Sequence, residues 1–163
     1  MNTKRNRQQR GSAVVESALV LLPTLLLMLM GMEVGRFMWT YHTLASSIKS
    51  ATRYAIVHGA RCEAASSSCP STIGDIVQVV QHSGIGLDGT QLQLKFAAGN
   101  ANHSCNNLLT CISDTSRWPA SGNNAVGLPL SIEGDYQFQS VLSAFGLGQS
   151  LKIMAKSSEA IQF

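Results

Sequence analysis

Charged residues are scarce in this chain of 163 residues. Asp, Glu, Lys and Arg together make up 13% of it, whereas soluble domains contain about 25%. A content this low excludes an ordinary, fully soluble domain and is typical of a membrane-tethered protein.

The formal net charge of +3 comes from the N-terminal leader. No acidic residue precedes Glu16, and from Ser12 onward eight bases face nine acids. Those eight bases are scattered along the chain, whereas a nucleic-acid surface needs bases clustered on one face. We therefore expect no nucleic-acid partner. The four leader bases are Lys4, Arg5, Arg7 and Arg10.

No catalytic or cofactor motif stands in the context that its chemistry requires. The glycines from Gly84 to Gly89 spell G-x-G-x-x-G, but here they follow a predicted helix and precede a predicted strand, the reverse of a dinucleotide site. Glu133 and Asp135 flank Gly134 at a predicted turn. The four histidines have no regular ligand spacing, and no serine lies in a G-x-S-x-G elbow. We expect no enzyme, no cofactor and no metal.

One long apolar run does stand out. It extends from Ser12 to Met32, and about 21 residues at 1.5 Å each give roughly 32 Å, the thickness of a bilayer's hydrocarbon core. The basic leader before it predicts a cytoplasmic N-terminus. The expected organisation is a leader at 1–11, a single transmembrane helix at 12–33, an amphipathic extension at 34–58 and an extracytoplasmic domain at 59–163.

Glu16 lies near the start of this run and leaves three interpretations open. A cleaved secretory signal would need a shorter apolar core and a small-residue cleavage site. An uncleaved anchor explains the length but not the acid. In the third, Gly11 and Ser12 flank a cleavage site that makes Glu16 the fifth residue of the mature chain, an arrangement that resembles the substrates of prepilin peptidases.

A partner for this carboxylate follows from the third interpretation. An ionised carboxylate in the middle of a bilayer costs about 2.5–3.5 kcal/mol on insertion scales, so it persists where it is paired. Cleavage would expose the α-amino group of Ser12, which a neighbouring subunit's Glu16 could meet, the role that the resemblance to pilins implies for Glu16. The alternative is a carboxylate that is merely solvated near the headgroups.

Three further residues of the run bear on helix packing. Pro23 removes an intrahelical hydrogen bond and predicts a kink or a loosened turn. Gly31 and Gly35 form a G-x-x-x-G pattern that allows close helix approach, although two incidental glycines remain an alternative. Glu33 and Arg36 are spaced for an i,i+3 ion pair.

Beyond Glu33 the apolar period stays helical, which predicts one long helix ending near His58 and Gly59. Its predicted buried stripe is Phe37, Tyr41, Leu44, Ile48, Ala51 and Ala55. Over about its first sixty residues the chain resembles TadE-like proteins, pilin-like accessory subunits of the tight-adherence (Tad or Flp) pilus. The residues that carry this resemblance are Gly11, Val15, Glu16, Ala18, Pro23, Gly35, Arg36, Trp39, Ala51, Arg53, Tyr54 and Ala55.

The outer domain is small enough to need covalent reinforcement. In an oxidising compartment its four cysteines predict two disulfides, and we prefer the local pairs Cys62–Cys69 and Cys105–Cys111, each of which brackets a polar loop. Zinc is the competing interpretation, because His103 precedes Cys105 by two residues. Structural zinc sites, however, space their cysteines more closely.

The remaining pattern predicts an α+β domain whose long helix lies on a small antiparallel sheet. A second helix should begin at Pro70 and Ser71 and end before Gly84, and a polar loop should run from Gly99 to Asn124. The predicted strands are centred on Leu92–Phe96, Leu128–Ile132, Tyr136–Phe138 and Leu151–Ala155.

The resemblance implies a minor pilin or pseudopilin in the bacterial cytoplasmic membrane, present in the pilus or assisting its assembly. Its implied partners are prepilin peptidase, other pilin-like subunits, the inner-membrane assembly platform and membrane lipid. The alternative is an uncleaved, single-span binding protein whose loop from Gly99 to Asn124 recognises an external ligand. A pseudopilin for DNA uptake is disfavoured by the scattered charge.

Overall fold

A computed structural model describes residues 5–58, 62, 69, 71–141, 143 and 150–162, with side chains described from Ala13 onward. The chain divides into two compact units at 37/38. The first contains the apolar run. The second contains the remainder of the long helix and a small α+β domain.

Helix α1 extends from Arg5 to Ile56, so it begins before Ser12 and includes part of the basic leader. It continues through Pro23. Nearby, the hydroxyl of Thr24 donates a 2.7 Å hydrogen bond to the carbonyl of Val20. In the first unit, every side chain described from Ala13 to Met32 is exposed. An apolar surface of this length requires lipid or partner helices around it.

Helix α2 in the second unit runs from Ile73 to Ser83. It begins after Thr72, which forms a capping box with Asp75: the Asp75 amide donates to the Thr72 hydroxyl at 3.1 Å, and the Thr72 amide donates to the Asp75 carboxylate at 2.8 Å. This cap explains why α2 begins after Ser71, later than predicted; Pro70 lies outside the described residues. The predicted end before Gly84 is confirmed. The predicted apolar face is buried: Ile73, Ile76, Val77 and Val80.

Four antiparallel strands form one sheet in the order β2-β1-β3-β4. A one-turn helix, α3 (Leu108–Cys111), follows β2. The predicted α+β class with an antiparallel sheet is therefore confirmed. The strands are β1 (Leu92–Ala98), β2 (Ala101–Cys105), β3 (Pro129–Phe138) and β4 (Leu151–Ala160).

The core of the second unit lies between one face of this sheet and α1. Full burial on α1 begins at Leu44 rather than at Phe37 as predicted: Phe37 is half-buried and Tyr41 remains 44% exposed. The helix approaches β3 at Gly134, where an added Cβ would lie 2.8 Å from Cδ1 of Ile48. The core consists mainly of Leu44, Ile48, Ala51 and Ala55 from α1, Leu92, Leu94 and Phe96 from β1, and Leu130 and Ile132 from β3.

Two predictions for this domain are wrong. Glu133, Gly134 and Asp135 lie in the middle of β3 rather than at a turn, because Gly134 serves the close approach of α1 and its φ is not positive. The predicted loop from Gly99 to Asn124 contains β2 and α3. Gly99 has φ +54° in the two-residue connection from β1 to β2, a conformation that glycine adopts readily.

Candidate functional site

The exposed apolar surface of α1 is the first candidate site. Ala13 begins a helical segment that is long and apolar enough to cross a membrane, and its most apolar stretch buries nothing within the protein. The side chains from Ala13 to Met32 are apolar apart from Glu16, Ser17, Pro23, Thr24 and Gly31. This surface therefore suits lipid or the helices of other subunits.

The predicted cleavage site lies inside α1. Gly11 and Ser12 are helical, and Glu16 follows Ser12 by one turn on the same helix with an exposed side chain. The i,i+4 spacing places the Ser12 backbone nitrogen and the Glu16 side chain on one helix face. Cleavage at this position would remove the first helical turns and leave Ser12 as the new helix start.

Gly31 and Gly35 leave open space on the helix. An added Cβ at either position would meet nothing within 4 Å, so both glycines are free for approach by another helix. Beside these glycines, the Arg36 guanidinium donates to the Glu33 carboxylate at 3.1 Å. The predicted i,i+3 ion pair is confirmed, and it lowers the cost of placing two charges close to an apolar segment.

Both predicted cysteine pairs are disulfides. Cys62 is joined to Cys69 and Cys105 to Cys111, with Cα separations of 5.5 and 6.0 Å. The second bridge ties the end of β2 to α3 beneath the sheet edge, where Cys105 and Cys111 are buried. It therefore fixes the edge strand that pattern reading missed.

Three potential zinc ligands lie close together, but two of them are joined in a disulfide. One nitrogen of His103 and the sulfurs of Cys105 and Cys111 lie within 4.8 Å of one another, yet both sulfurs are held in a disulfide. The remaining donor, Asp114, lies 3.2 Å from Nε2 of His103. Hydrogen bonds from Ser116 are the main reason why the pKa of Asp114 is lowered, and His103 lowers it further. An imidazole and one carboxylate fall short of the four ligands of a structural zinc site.

The sheet face that points away from α1, called the open face, carries a charge cluster that was not predicted from the sequence. The Asp135 carboxylate accepts hydrogen bonds from Nζ of Lys95 at 2.8 Å and is 3.0 Å from Nζ of Lys152, while Glu133 lies 3.4 Å from Lys95. Burial raises the pKa of Asp135, but the two ammonium groups outweigh it, so the net pKa is lowered. Alternation along one continuous β3 would have placed Glu133 and Asp135 on this face.

Beside this cluster the open face carries a shallow groove of about 360 Å³. Most of its lining residues are polar, and they come from all four strands. Part of the lining comes from β2, which lies within the predicted loop from Gly99 to Asn124. Its polar lining residues are Lys95, Asn102, His103, Ser104, Ser131, Glu133 and Lys156.

Comparison with known proteins finds one family match, which lies in the N-terminal segment. Residues 11–53 match the family model described as TadE-like protein, which confirms the resemblance expected from the sequence. The match begins at Gly11, covers the candidate span and ends within the part of α1 that packs on the sheet. Neither the curated proteins nor the solved structures gave a significant match.

Proposed function

We propose that this chain is a minor pilin or pseudopilin-like structural subunit of a Tad (Flp) pilus. The TadE-like family implies a pilin-like protein associated with that pilus, and the match covers the segment by which such a subunit would be anchored. The observation that carries the proposal is the fully exposed apolar surface of α1 from Ala13 to Met32. Such a surface can contact lipid before assembly and pack against the helices of neighbouring subunits after it.

We further propose that the chain is cleaved before it is assembled. Prepilin peptidase would cut between Gly11 and Ser12, on the cytoplasmic side, and so create the amine that pairs with Glu16 of an adjacent subunit. The i,i+4 placement of Ser12 and Glu16 on α1 supports this pairing, because the two groups share a helix face and are only about 6 Å apart along the axis, an offset that an axial shift between neighbouring subunits can close. The leader remains in the cytoplasm, and the second unit lies outside the cytoplasmic membrane.

The proposed role is structural rather than enzymatic. Lys95, Asp135 and Lys152 form a charge cluster that bridges strands, and Thr72 and Asp75 cap α2. Further partners would be other pilin-like subunits and the inner-membrane assembly platform, which would contact α1 around Gly31 and Gly35, where close approach is open.

N-terminal sequencing of the membrane-bound chain tests processing directly. The chain is expressed with and without a prepilin peptidase, and a Gly11→Leu variant serves as the control that blocks cleavage. We expect a mature chain that starts at Ser12 only when the peptidase is present and Gly11 is intact. Recovery of Met1 under all three conditions would reject processing and favour an uncleaved anchor.

The groove on the open sheet face is the observation that favours the alternative, an anchored binding protein. Its volume of about 360 Å³ lies near the lower end of the range of ligand sites. Asn102 and Ser104, from the segment between Gly99 and Asn124, line one side of it. An uncleaved chain that binds a ligand in this groove, and loses that binding in Asn102→Ala, would favour this alternative.

A further inference from the structure

Two large apolar side chains of the second unit are unusually exposed, and one of them lies next to the turn that carries the other. Ile85 is 73% exposed and Trp39 is 67% exposed, the two highest values among the large apolar residues described in that unit. An added Cβ on Gly86, next to Ile85, would lie 4.0 Å from Nε1 of Trp39. The Trp39 ring on α1 therefore approaches the turn after α2, and the two exposed side chains together are called the Trp39–Ile85 patch.

The exposure of Ile85 is built into the turn. The Leu87 amide donates to the carbonyl of Gly84 at 3.0 Å, and Gly86 has φ +86°, as the third position of a type II turn requires. The second position, which turns usually fill with a proline or a polar residue, is occupied by a β-branched apolar residue. The turn therefore presents Ile85 to its surroundings rather than to the core.

Trp39 is amphipathic and has an available donor. Its ring is apolar, and its indole N–H makes no hydrogen bond within the described part of the chain. Tryptophan is enriched at membrane interfaces for this reason, since the ring enters the acyl boundary while the N–H bonds to headgroup oxygens.

The position of Trp39 along the chain points to lipid as the occupant. Met38 and Trp39 are the first residues of the second unit, directly after the segment that carries the candidate span. Seven helical residues after Met32 correspond to about 10 Å, and because helical side chains lean toward the N-terminus, the indole covers the turn before its own Cα. The Cα of Trp39 thus lies just outside the interfacial layer, which is roughly 5–8 Å thick on each side of the hydrocarbon core, and the indole, which leans back toward Met32, reaches into that layer.

We propose that the Trp39–Ile85 patch rests in the headgroup–acyl boundary of a phospholipid bilayer and so holds the turn after α2 on the membrane. The patch gives the outer domain a second attachment to the membrane besides the helix itself, which restricts its tilt. The inference requires membrane insertion but neither cleavage after Gly11 nor pilus assembly.

Tryptophan fluorescence in nanodiscs tests the proposal with the full chain. The chain contains two tryptophans, and Trp118 is buried, with an indole N–H that has no hydrogen-bond partner. Replacement by Phe removes that donor and leaves Trp39 as the single tryptophan, whose emission is excited selectively over that of the tyrosines. Single copies of Trp118→Phe are placed in nanodiscs of phosphatidylcholine brominated either near the headgroup or near the methyl end of its acyl chains.

We expect Trp39 emission to be quenched more by the shallow bromine than by the deep one. Adding Ile85→Asp should reduce the shallow quenching and shift the emission to longer wavelength, because the turn leaves the bilayer. Val126→Asp is the matched control, because Val126 is an apolar loop residue that is 44% exposed. It lies far from Trp39 along α1: the next residue, Gly127, bonds to Ile161, and the residue after Ile161 bonds to Ile56 at the C-terminal end of the helix. This variant should leave the quenching unchanged.

Three results would overturn the proposal. In the first, neither bromolipid quenches Trp39, which would leave the patch in water. In the second, Ile85→Asp behaves like Val126→Asp, which would leave the turn off the membrane. In the third, Trp39 is shielded from an aqueous quencher only when a disc holds two copies, which would make a second chain the occupant. Near-ultraviolet circular dichroism of each variant establishes that the outer domain is folded.

Discussion

Gly134 lies directly beneath Ile48. The missing side chain on β3 lets α1 approach so closely that an added Cβ would be 2.8 Å from Cδ1 of Ile48 and 3.2 Å from Cδ1 of Leu44. The neighbouring positions in register are Leu94 on β1 and Ala155 on β4, so a small residue also stands beside Gly134 on the β4 side. This contact sets the distance between the helix and the sheet.

Gly134→Leu should destabilise the outer domain. The new side chain would have to displace both Ile48 and Leu44 in a packed core, and overpacking of this kind costs about 1–3 kcal/mol. Gly134→Ala should cost less, because the end of the Ile48 side chain can move. The free energy of unfolding of the full chain in detergent, followed by near-ultraviolet circular dichroism, measures both effects.

Gln137→Leu is the matched control for this prediction. Gln137 lies on the same strand and is exposed on the open face, where an added apolar side chain meets no core residue. A surface change of this kind should stay within about 0.5 kcal/mol. Equal losses at positions 134 and 137 would contradict the packing argument.

Asp135→Asn should weaken the sheet through its charge cluster. The carboxylate is 3% exposed and lies between the ammonium groups of Lys95 and Lys152, and hydrogen bonds to charged groups contribute about 1.5–3 kcal/mol each before solvent screening. Both lysines are about half exposed and can be rehydrated, so we expect a net loss of about 1–2 kcal/mol. Glu133→Gln, which removes only the longer contact to Lys95, should cost clearly less; the unfolding free energies compare the two.

The same carboxylate makes stability depend on acid pH. The pKa of Asp135 is lowered from its ordinary value of 3.8 in the folded protein, so its contribution is fully present above that value and is lost as the pH falls through the lowered pKa. Melting temperatures measured from neutral pH downward should therefore fall less steeply below about pH 4 in Asp135→Asn than in the unmodified chain. Part of the acid dependence should remain, because the pKa values of Asp88 and Asp114 are also lowered. Parallel curves for both proteins would contradict this assignment.

Sequence periodicity predicted most of the elements because their apolar residues are spaced regularly. Ile73, Ile76, Val77 and Val80 predict α2, and all of them are buried. The alternation from Leu92 to Phe96 likewise predicts β1, which extends to Ala98. Where one face of a helix or strand is buried, apolar residues recur along the sequence at the repeat of that element, so the element can be predicted.

Pattern reading failed where tertiary packing decides the structure. The edge strand β2 is Ala-Asn-His-Ser-Cys, whose polar residues have low strand propensity, and it is held by pairing to β1 and by the Cys105–Cys111 bridge. A glycine in the sequence can indicate a turn, but Gly134 lies within a strand and allows a close helix contact. Gly99 followed by Asn100 was the one local signal for the β1–β2 hairpin. The charge cluster of Asp135 depends on register, which no single strand reveals.

Removal of the Cys105–Cys111 bridge should destabilise the edge of the sheet. Closing a loop of this length contributes about 2 kcal/mol by restricting the unfolded chain, so the double variant Cys105→Ala, Cys111→Ala should unfold at lower denaturant. Cys62→Ala, Cys69→Ala is the matched comparison for a loop of similar length. Alkylation of the exported chain without reductant should find no free thiol; four reactive thiols would contradict both bridges.

Replacement of Glu16 separates the role of this acid in assembly from its cost in the membrane. Because an isolated carboxylate near the bilayer centre costs about 2.5–3.5 kcal/mol, Glu16→Ala and Glu16→Gln should insert at least as well as the unmodified chain. Both should impair incorporation into assembled pili or their subcomplexes, measured by shearing and fractionation, since the Ser12 amine then has no partner. Ser17→Ala, at the adjacent exposed position on α1, is the control and should assemble normally. Normal assembly of Glu16→Ala would reject the pairing between subunits, whatever the result of N-terminal sequencing.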